Sequence, residues 1–194
     1  MDSKAYGELL RLIDSWVTSI WEKEMKREYK KSLILKESVL AYSFYFHLRK
    51  KVENSNKYKK HLYIYSEMPF KSKGDRNFTS DLVILIWDED TPDPQEILSV
   101  LEFKHYDVSH PYAGGIGKDF ENLAALKKGV YYRWGDKKLK KLLKAKKAYF
   151  LYLVDEGDIK FCPDFELRKK ALQEDGYCKF LFGYGEQGRF TRDS

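Results

Sequence analysis

Apolar residues recur at helical spacing in two stretches near the start of the chain. The first stretch predicts a helix over residues 3–30, because its apolar positions fall three or four residues apart. These positions are Leu9, Ile13, Trp16 and Ile20. A second helix is predicted from about Ser32 to Lys51, with Ser32 as its N-cap. Apolar residues occupy nearly all sides of this second helix, which predicts that it is buried.

Three segments in the middle of the chain predict consecutive β-strands. Each is an apolar run, rich in β-branched and aromatic residues, that lies between polar turn sequences. The runs are HLYIYSEMPF (61–70), SDLVILIW (80–87) and EILSVLEFKHY (96–106). Because the connections between them are short, we expect neighbouring strands to pair in antiparallel fashion.

The second half of the chain predicts both helices and strands. A helix is expected to begin near Lys118, and DKKLKKLLKAKK (136–147) predicts a short amphipathic helix. The uninterrupted apolar run AYFLYLV (148–154) predicts a strand that is buried on both faces. A short helix over 165–174 and a strand over 177–184 follow. Since a helix between strands permits a crossover to a parallel strand, these elements predict a mixed α/β sheet with helices on its faces.

The composition is that of one folded domain over residues 1–194. Hydrophobic residues make up 43% of the chain and aromatic residues 16%, which excludes a disordered protein. No apolar run approaches the roughly 20 residues that span a bilayer, and the N-terminus lacks signal-peptide features, so no membrane partner is expected. Nothing requires Cys162 and Cys178 to pair, and we expect a reduced, cytoplasmic protein.

Positive charge is concentrated in two windows of a chain whose net charge is +6. Residues 118–147 contain eleven Lys or Arg against three acids, and residues 49–60 contain six against one. Clustered cations favour a polyanion partner such as nucleic acid. Solvated, lysine-rich helix faces account for the same pattern equally well. The candidate phosphate-contacting residues are Lys118, Arg133, Lys137, Lys138 and Lys141.

Two opposite charges interrupt the third predicted strand. Side chains alternate along a strand, so Glu102 and Lys104 are expected on the same face as Leu98 and Val100. If the preceding hairpin is symmetric about the middle of its turn, Asp81 stands opposite Glu102. Directly opposed carboxylates repel each other in an ordinary sheet, whereas a hard cation such as Mg²⁺ would bind both through oxygen. A structural salt bridge at the end of the sheet is the alternative.

Glu37 is a third acid in apolar surroundings. On the helical wheel it lies among Leu33, Leu40 and Phe44. A buried carboxylate is costly unless it is paired, protonated or near a metal ion. A basic partner, or water at the first turn of the helix, would also satisfy it. We favour a position near the metal.

The order of these residues resembles the PD-(D/E)XK nuclease superfamily. Asp81 on one strand, Glu102-Phe103-Lys104 on the next and Glu37 on the preceding helix are similar to the motif of that family. The resemblance covers roughly residues 32–154 and includes GKDFENLAAL, which is similar to the helix that follows the catalytic strand. Ser80 stands where the family name has proline.

The resemblance implies a restriction-endonuclease-like fold, that is, a mixed α/β sheet with an αβββαβ core and helices on both faces. Residues 32–154 would form this core within a single nuclease domain. The N-terminal helix 3–30 and the C-terminal residues 155–194 would be extensions of the same domain.

The resemblance also implies chemical roles. Asp81, Glu102 and the backbone carbonyl of Phe103 would ligate Mg²⁺, with Mn²⁺ as a substitute, and Glu37 would bind through a water molecule or hold a second ion. Lys104 would orient or activate the attacking water and offset charge in the transition state. These roles agree with the general chemistry of phosphodiester hydrolysis, which relies on positioning and on charge stabilisation by a metal ion and a cation.

The sequence therefore predicts a Mg²⁺-dependent endonuclease, a phosphodiesterase that cuts DNA. Two alternatives remain open: a non-catalytic nucleic-acid-binding module, and a nuclease of the same fold that acts on RNA or on branched junctions. A homodimer also stays open, because cutting both strands of a duplex often needs two active sites.

Other motifs indicate less. YAGGIGKD (112–119) lacks the glycine at 112 and the hydroxyl residue at 119 that a phosphate-binding P-loop needs. His105 and His110 have no third ligand at zinc-type spacing, so a structural or DNA-contacting role is favoured for His105. VYYRWGDKK (130–138) interleaves aromatic residues with cations, which suits base stacking and suits a helix end in the core equally well.

Overall fold

Helices cover both faces of one mixed β-sheet in a computed structural model of the chain. The structure describes residues 3–34, 36–87, 94–106, 116–134, 137–154, 165–185 and 189–192. The helices are α1 (Ser3–Ser19), a π-helical segment (Ile20–Met25), α2 (Lys26–Lys30), α3 (Glu37–Glu53), α4 (Ile116–Lys128), α5 (Phe165–Gln173) and a 3₁₀ turn (Glu174–Gly176). The strands are β1 (Leu62–Ser72), β2 (Asn77–Ile86), β3 (Glu96–Tyr106), β4 (Val130–Trp134), β5 (Lys137–Leu143), β6 (Ala145–Val154), β7 (Cys178–Tyr184) and β8 (Arg189–Arg192).

The sheet has the strand order β5-β4-β1-β2-β3-β6-β7-β8. Strands β1, β2 and β3 form an antiparallel meander, as their short connections predicted. Strand β6 then pairs parallel to β3, and β7 pairs parallel to β6. The predicted mixed α/β sheet is therefore confirmed, and the parallel step follows helix α4, which supplies the crossover.

Two apolar cores lie on opposite faces of the sheet, and β6 contributes to both. Tyr149 and Leu151 pack with α1, the π-helical segment and α3, whereas Phe150 and Tyr152 pack with α4 and α5. Every residue of β6 from Ala148 onward is buried, which confirms the prediction of a strand enclosed on both faces. On the α3 side, the apolar residues that reach the sheet are spaced four apart and are Leu40, Phe44, Leu48 and Val52.

The first predicted helix is confirmed, but the second begins later than predicted. Helical structure runs from Ser3 to Lys30 without a break in the chain, with one π-helical segment. Helix α3 starts at Glu37 rather than near Ser32. Ser32 has a φ of 55°, in the left-handed region, whereas an N-cap residue adopts extended backbone. Lys36, with a φ of −152°, occupies that position instead.

The lysine-rich segment 136–147 is not a helix, and this prediction was wrong. Its described residues form the edge strand β5 and the start of β6. Strand β5 pairs with β4, a strand that the sequence patterns had not assigned, through Val130 with Leu143 and Tyr131 with Leu142. Pairing in the sheet outweighs the local helix propensity of lysine and leucine, and lysine suits an edge strand because its charge discourages pairing with another chain.

The C-terminal part of the chain contains one strand that the sequence did not predict. Strand β8 was not predicted, while α5 and β7 match their predictions. Cys178 is buried and has a free thiol, and Cys162 lies outside the described residues, as does His110. In the part of the chain that the structure describes, no helix is both long enough and apolar enough to cross a membrane.

Candidate active site

The register between β2 and β3 brings Asp81 to Glu102. Leu82 pairs with Leu101 and Val83 with Val100, which is the predicted register, and Asp81 and Glu102 come next along the two strands. The backbone N–H of Phe103 donates a hydrogen bond of 2.8 Å to Asp81 Oδ2. The carboxylate of Asp81 is thereby fixed against the strand that carries Glu102.

A register shift away from the site changes the face of one residue. The pairing slips between Ile84 and Leu85, so that Leu85 faces Ile97. As a result Leu98 lies in the core on the α1–α3 side, while Val100 lies in the core on the α4 side. The expectation that Leu98 shares a face with Val100 was wrong, because an extra residue in one strand reverses the alternation beyond it.

Lys104 joins acids from two helices on opposite sides of the sheet. Its Nζ lies 3.0 Å from Glu37 Oε1 on α3 and 3.2 Å from Asp119 Oδ2 on α4. The second oxygen of Glu37 accepts a hydrogen bond of 3.4 Å from the backbone N–H of His105. Burial by itself would lower the pKa of Lys104, but the charges of Asp119 and Glu37 outweigh it and hold that pKa above its ordinary value. Lys104 therefore stays an ammonium ion at neutral pH.

Glu102 is the most deeply buried acid of the site. Only 2% of the residue is exposed; the Ser80 hydroxyl lowers its pKa, but among the described residues no group gives its Oε1 a hydrogen bond of good geometry. Burial, followed by the negative charges of Asp81 and Asp119, raises the pKa of Glu102 well above its ordinary value. Burial also raises the pKa of Asp81, although the Phe103 N–H and the charge of Lys104 partly offset it. Among the described residues, four acids thus lie around one lysine, and full ionisation of all four is unfavourable.

The oxygen atoms of this centre suit a hard divalent cation. Mg²⁺ is usually held by one or two carboxylates, with water and substrate oxygen completing its coordination. A cation beside Asp81 and Glu102 would satisfy the unpaired Oε1 of Glu102 and neutralise the repulsion that raises its pKa. Within the described ranges, no three His, Cys, Asp or Glu side chains form a ready-made metal cage, so water and substrate would have to supply the remaining ligands. The side chain of Phe103 packs on Phe44 in the core, and a role for its carbonyl stays a prediction.

Two further acids at this site were missed by the sequence reasoning. Asp119, in the first turn of α4, had been counted only as part of the charge balance. Its burial raises its pKa to about 6, because Lys104 offsets that effect only in part and because Asp81 and Glu37 repel it. The signal was available, since an acid near the start of the helix after β3 points back toward the end of that strand.

Glu67 is the second of these acids, and its backbone is unusual. It lies within β1, between the pairs Ser66–Leu82 and Met68–Ser80, and so stands beside Asp81. Its φ of 52° is left-handed, which costs energy for a residue with a side chain and which strands rarely contain. A small cavity of about 160 Å³ is lined by Glu37, Tyr42, Glu67 and Asp81, among others. No sequence pattern indicated this strain.

The candidate phosphate-contacting residues are not all near this centre. Lys118 is exposed on α4, next to Asp119, and both line one groove with Asn77 and Thr79. Arg133, Lys137, Lys138 and Lys141 lie on β4 and β5. Strand β5 is four strand spacings from β3, or roughly 19 Å. The side chains of these four residues are not described, and their contact with phosphate remains a prediction.

Comparison with known proteins adds no relative, since no family model, curated protein or solved structure matches the chain. The fold and the site define a mixed α/β protein with a buried centre of acids around one lysine.

Proposed function

We propose that the protein is a Mg²⁺-dependent nuclease that hydrolyses DNA phosphodiester bonds. The observation that carries the proposal is the meeting of Glu37, Asp81, Glu102 and Lys104 at one end of the β2–β3 pair. Their oxygen-rich, buried and partly unpaired arrangement suits a divalent cation and a phosphate group together. A purely structural salt bridge would not need Glu102 to bury an oxygen without a hydrogen bond.

The order of the elements supports a restriction-endonuclease-like core. Helix α3, strands β1, β2 and β3, helix α4 and strand β6 follow one another in the αβββαβ order, and β6 pairs parallel to β3. Strands β4 and β5 are inserted between α4 and β6 and extend the sheet on the far side of β1. The fold assignment remains part of the proposal.

Each side chain would have a separate role in hydrolysis. Asp81 and Glu102 would hold the metal ion, which supplies charge stabilisation to the phosphate oxygens. Lys104, as a permanent ammonium ion, would orient the attacking water and offset negative charge rather than remove a proton. Glu37 and Asp119 hold the Lys104 Nζ in place from two sides. Asp119, with its pKa raised to about 6, would be a proton acceptor near neutral pH.

Replacing Asp81 by alanine is expected to abolish metal-dependent cleavage. The variant would lose one of two carboxylate ligands, while the core below it stays intact because Asp81 lies at the end of the strand pairing. The measurement is the conversion of supercoiled plasmid to nicked and linear forms with Mg²⁺, with Mn²⁺ and with EDTA. Equal cleavage by the wild type and by Asp81→Ala would point to a contaminant and defeat the assignment.

A panel of substrates separates this proposal from its alternatives. Linear duplex, single-stranded DNA, RNA and a four-way junction, each compared with plasmid, would show which polymer is cut. Salt-dependent binding without any cleavage, together with a melting temperature that Mg²⁺ does not change, would favour a non-catalytic binding module instead.

A further inference from the structure

Helix α3 has a second apolar face that the fold leaves exposed. The sequence predicted that this helix, apolar on nearly all sides, is buried, and for its outer side that prediction was wrong: Val39 is 38% exposed, Tyr42 59% and Phe46 53%. Leu33, just before the helix, is 56% exposed. We call the three residues on the helix, Val39, Tyr42 and Phe46, the α3 outer face. Only one other large hydrophobic residue, Leu167, is exposed in the described part of the chain, so this clustering is not a general property of the surface.

The α3 outer face is continuous with the candidate active site. Glu37, which contacts Lys104, is the first residue of the same helix. Tyr42 lines the cavity of about 160 Å³ together with Glu37 and Asp81. A polymer with its scissile phosphate beside Asp81 would therefore extend naturally onto Tyr42.

The charges on this helix favour an anionic occupant. Lys50 Nζ lies 4.2 Å from the centre of the Phe46 ring, which places a cation on an exposed aromatic face. Helix α3 and its N-cap carry four Lys or Arg and two Glu, and Glu53 is paired with Arg49 at 2.7 Å. The cations lie at the Phe46 end of the helix and would attract a polyanion there, whereas the Tyr42 end borders the acids that surround the candidate metal position.

We propose that the α3 outer face stacks the bases of a single-stranded DNA segment next to the scissile phosphate. This inference rests on the proposed nuclease function and names its substrate class. Exposed aromatic residues beside cations are how proteins hold single strands without reading their sequence. Bases within a duplex are already stacked and cannot offer their faces to Tyr42 and Phe46. The two residues are four apart on the helix, or about 6 Å along its axis, so both side chains can contact one short strand.

Binding in EDTA tests this inference apart from cleavage. The probes are a fluorescein-labelled oligothymidine of about 20 nucleotides and a blunt duplex of the same length, measured by fluorescence anisotropy. The Tyr42→Ala/Phe46→Ala double variant is expected to bind the single strand at least about tenfold more weakly and the duplex within about twofold of the wild type. Leu167→Ala, on an apolar residue of α5 that is even more exposed, is the matched control and should change neither affinity. Tyr42→Phe keeps the ring and should keep single-strand binding.

Three results would overturn the inference. The first is a double variant that binds the single strand as the wild type does, and the second is an equal loss for single strand and duplex. The third is a dimer in analytical ultracentrifugation that the double variant abolishes, which would assign the face to a second copy. These results leave the nuclease proposal standing if plasmid is still cut. Conversely, selective single-strand binding without any cleavage would support the α3 outer face and reject the nuclease.

Discussion

Replacing Lys104 by alanine is expected to lower the rate of Mg²⁺-dependent DNA cleavage by roughly 100-fold or more, the size typical for losing one preorganised charge-stabilising group. The Lys104 ammonium lies between Glu37 and Asp119, and its side chain is only 17% exposed. Its charge is therefore held at a fixed point and weakly screened by solvent. The measurement is the single-turnover cleavage rate at saturating enzyme.

A matched variant separates catalysis from stability in this experiment. Lys179→Ala also removes a partly buried lysine; Lys179 lies on β7, two strands from β3, and its Nζ is 2.5 Å from Asp14 Oδ2 on α1. Both variants are expected to unfold more easily than the wild type, since each leaves acids without their cation. Only Lys104→Ala should lose activity per folded molecule. A similar loss of rate in the two variants would assign the effect to stability and remove Lys104 from the mechanism.

Replacing Glu102 by glutamine is expected to abolish cleavage and yet to raise the free energy of unfolding at pH 8 in EDTA by about 1–3 kcal/mol. At this pH the unfolded state ionises freely, whereas burial and the like charges of Asp81 and Asp119 make ionisation of the folded wild-type carboxyl unfavourable and raise its pKa. Glutamine keeps the shape of the side chain and removes the charge. Chemical denaturation at several pH values measures the difference between the two proteins.

The pH dependence of this difference has a definite sign. Since the pKa of Glu102 is raised in the folded protein, the folded state retains its proton longer than the unfolded state does. Wild-type stability relative to Glu102→Gln should therefore fall as the pH rises from the ordinary glutamate range through the raised pKa, and the two proteins should converge below about pH 4. Glu166→Gln, on an exposed side chain of α5, should show no such trend. A Glu102→Gln variant that is less stable than the wild type at pH 8 would show that Glu102 is a stabilising salt-bridge partner.

The pairing of Asp81 with Glu102 could be predicted because the turn of a hairpin determines which residues of its two strands face each other. Strand side chains alternate with a period of two, and a short turn fixes which residues face each other, so Asp81 and Glu102 could be paired from the sequence. The extra residue is Leu98 of β3, which lies between the pairs Ile84–Ser99 and Leu85–Ile97; no sequence signature marks it, and the bulge turns its side chain to the other face. The pairing of Asp81 with Glu102 is unaffected because the regular pairs Val83–Val100 and Leu82–Leu101 lie between the bulge and the site.

Features that depend on contacts between elements distant in sequence were predicted wrongly or missed. The apolar residues of the lysine-rich segment recur at helical spacing. In the structure, however, this segment forms β5, which pairs with β4 at the edge of the sheet. The apolar outer side of α3 suggested burial, yet the sheet covers only the side that carries Leu40 and Phe44. Asp119 reaches Lys104 only because α4 crosses the sheet after β3. Such contacts join residues that are distant in sequence, and no local pattern encodes them.

The central claim is that Asp81 and Glu102 share one divalent cation. The most direct measurement is the anomalous scattering of a crystal soaked in Mn²⁺, which reports metal positions without reference to activity. The account predicts an anomalous peak within about 2.2 Å of a carboxylate oxygen of each residue, with water completing the coordination. An absent peak at full soak, or one that contacts neither carboxylate, would contradict it.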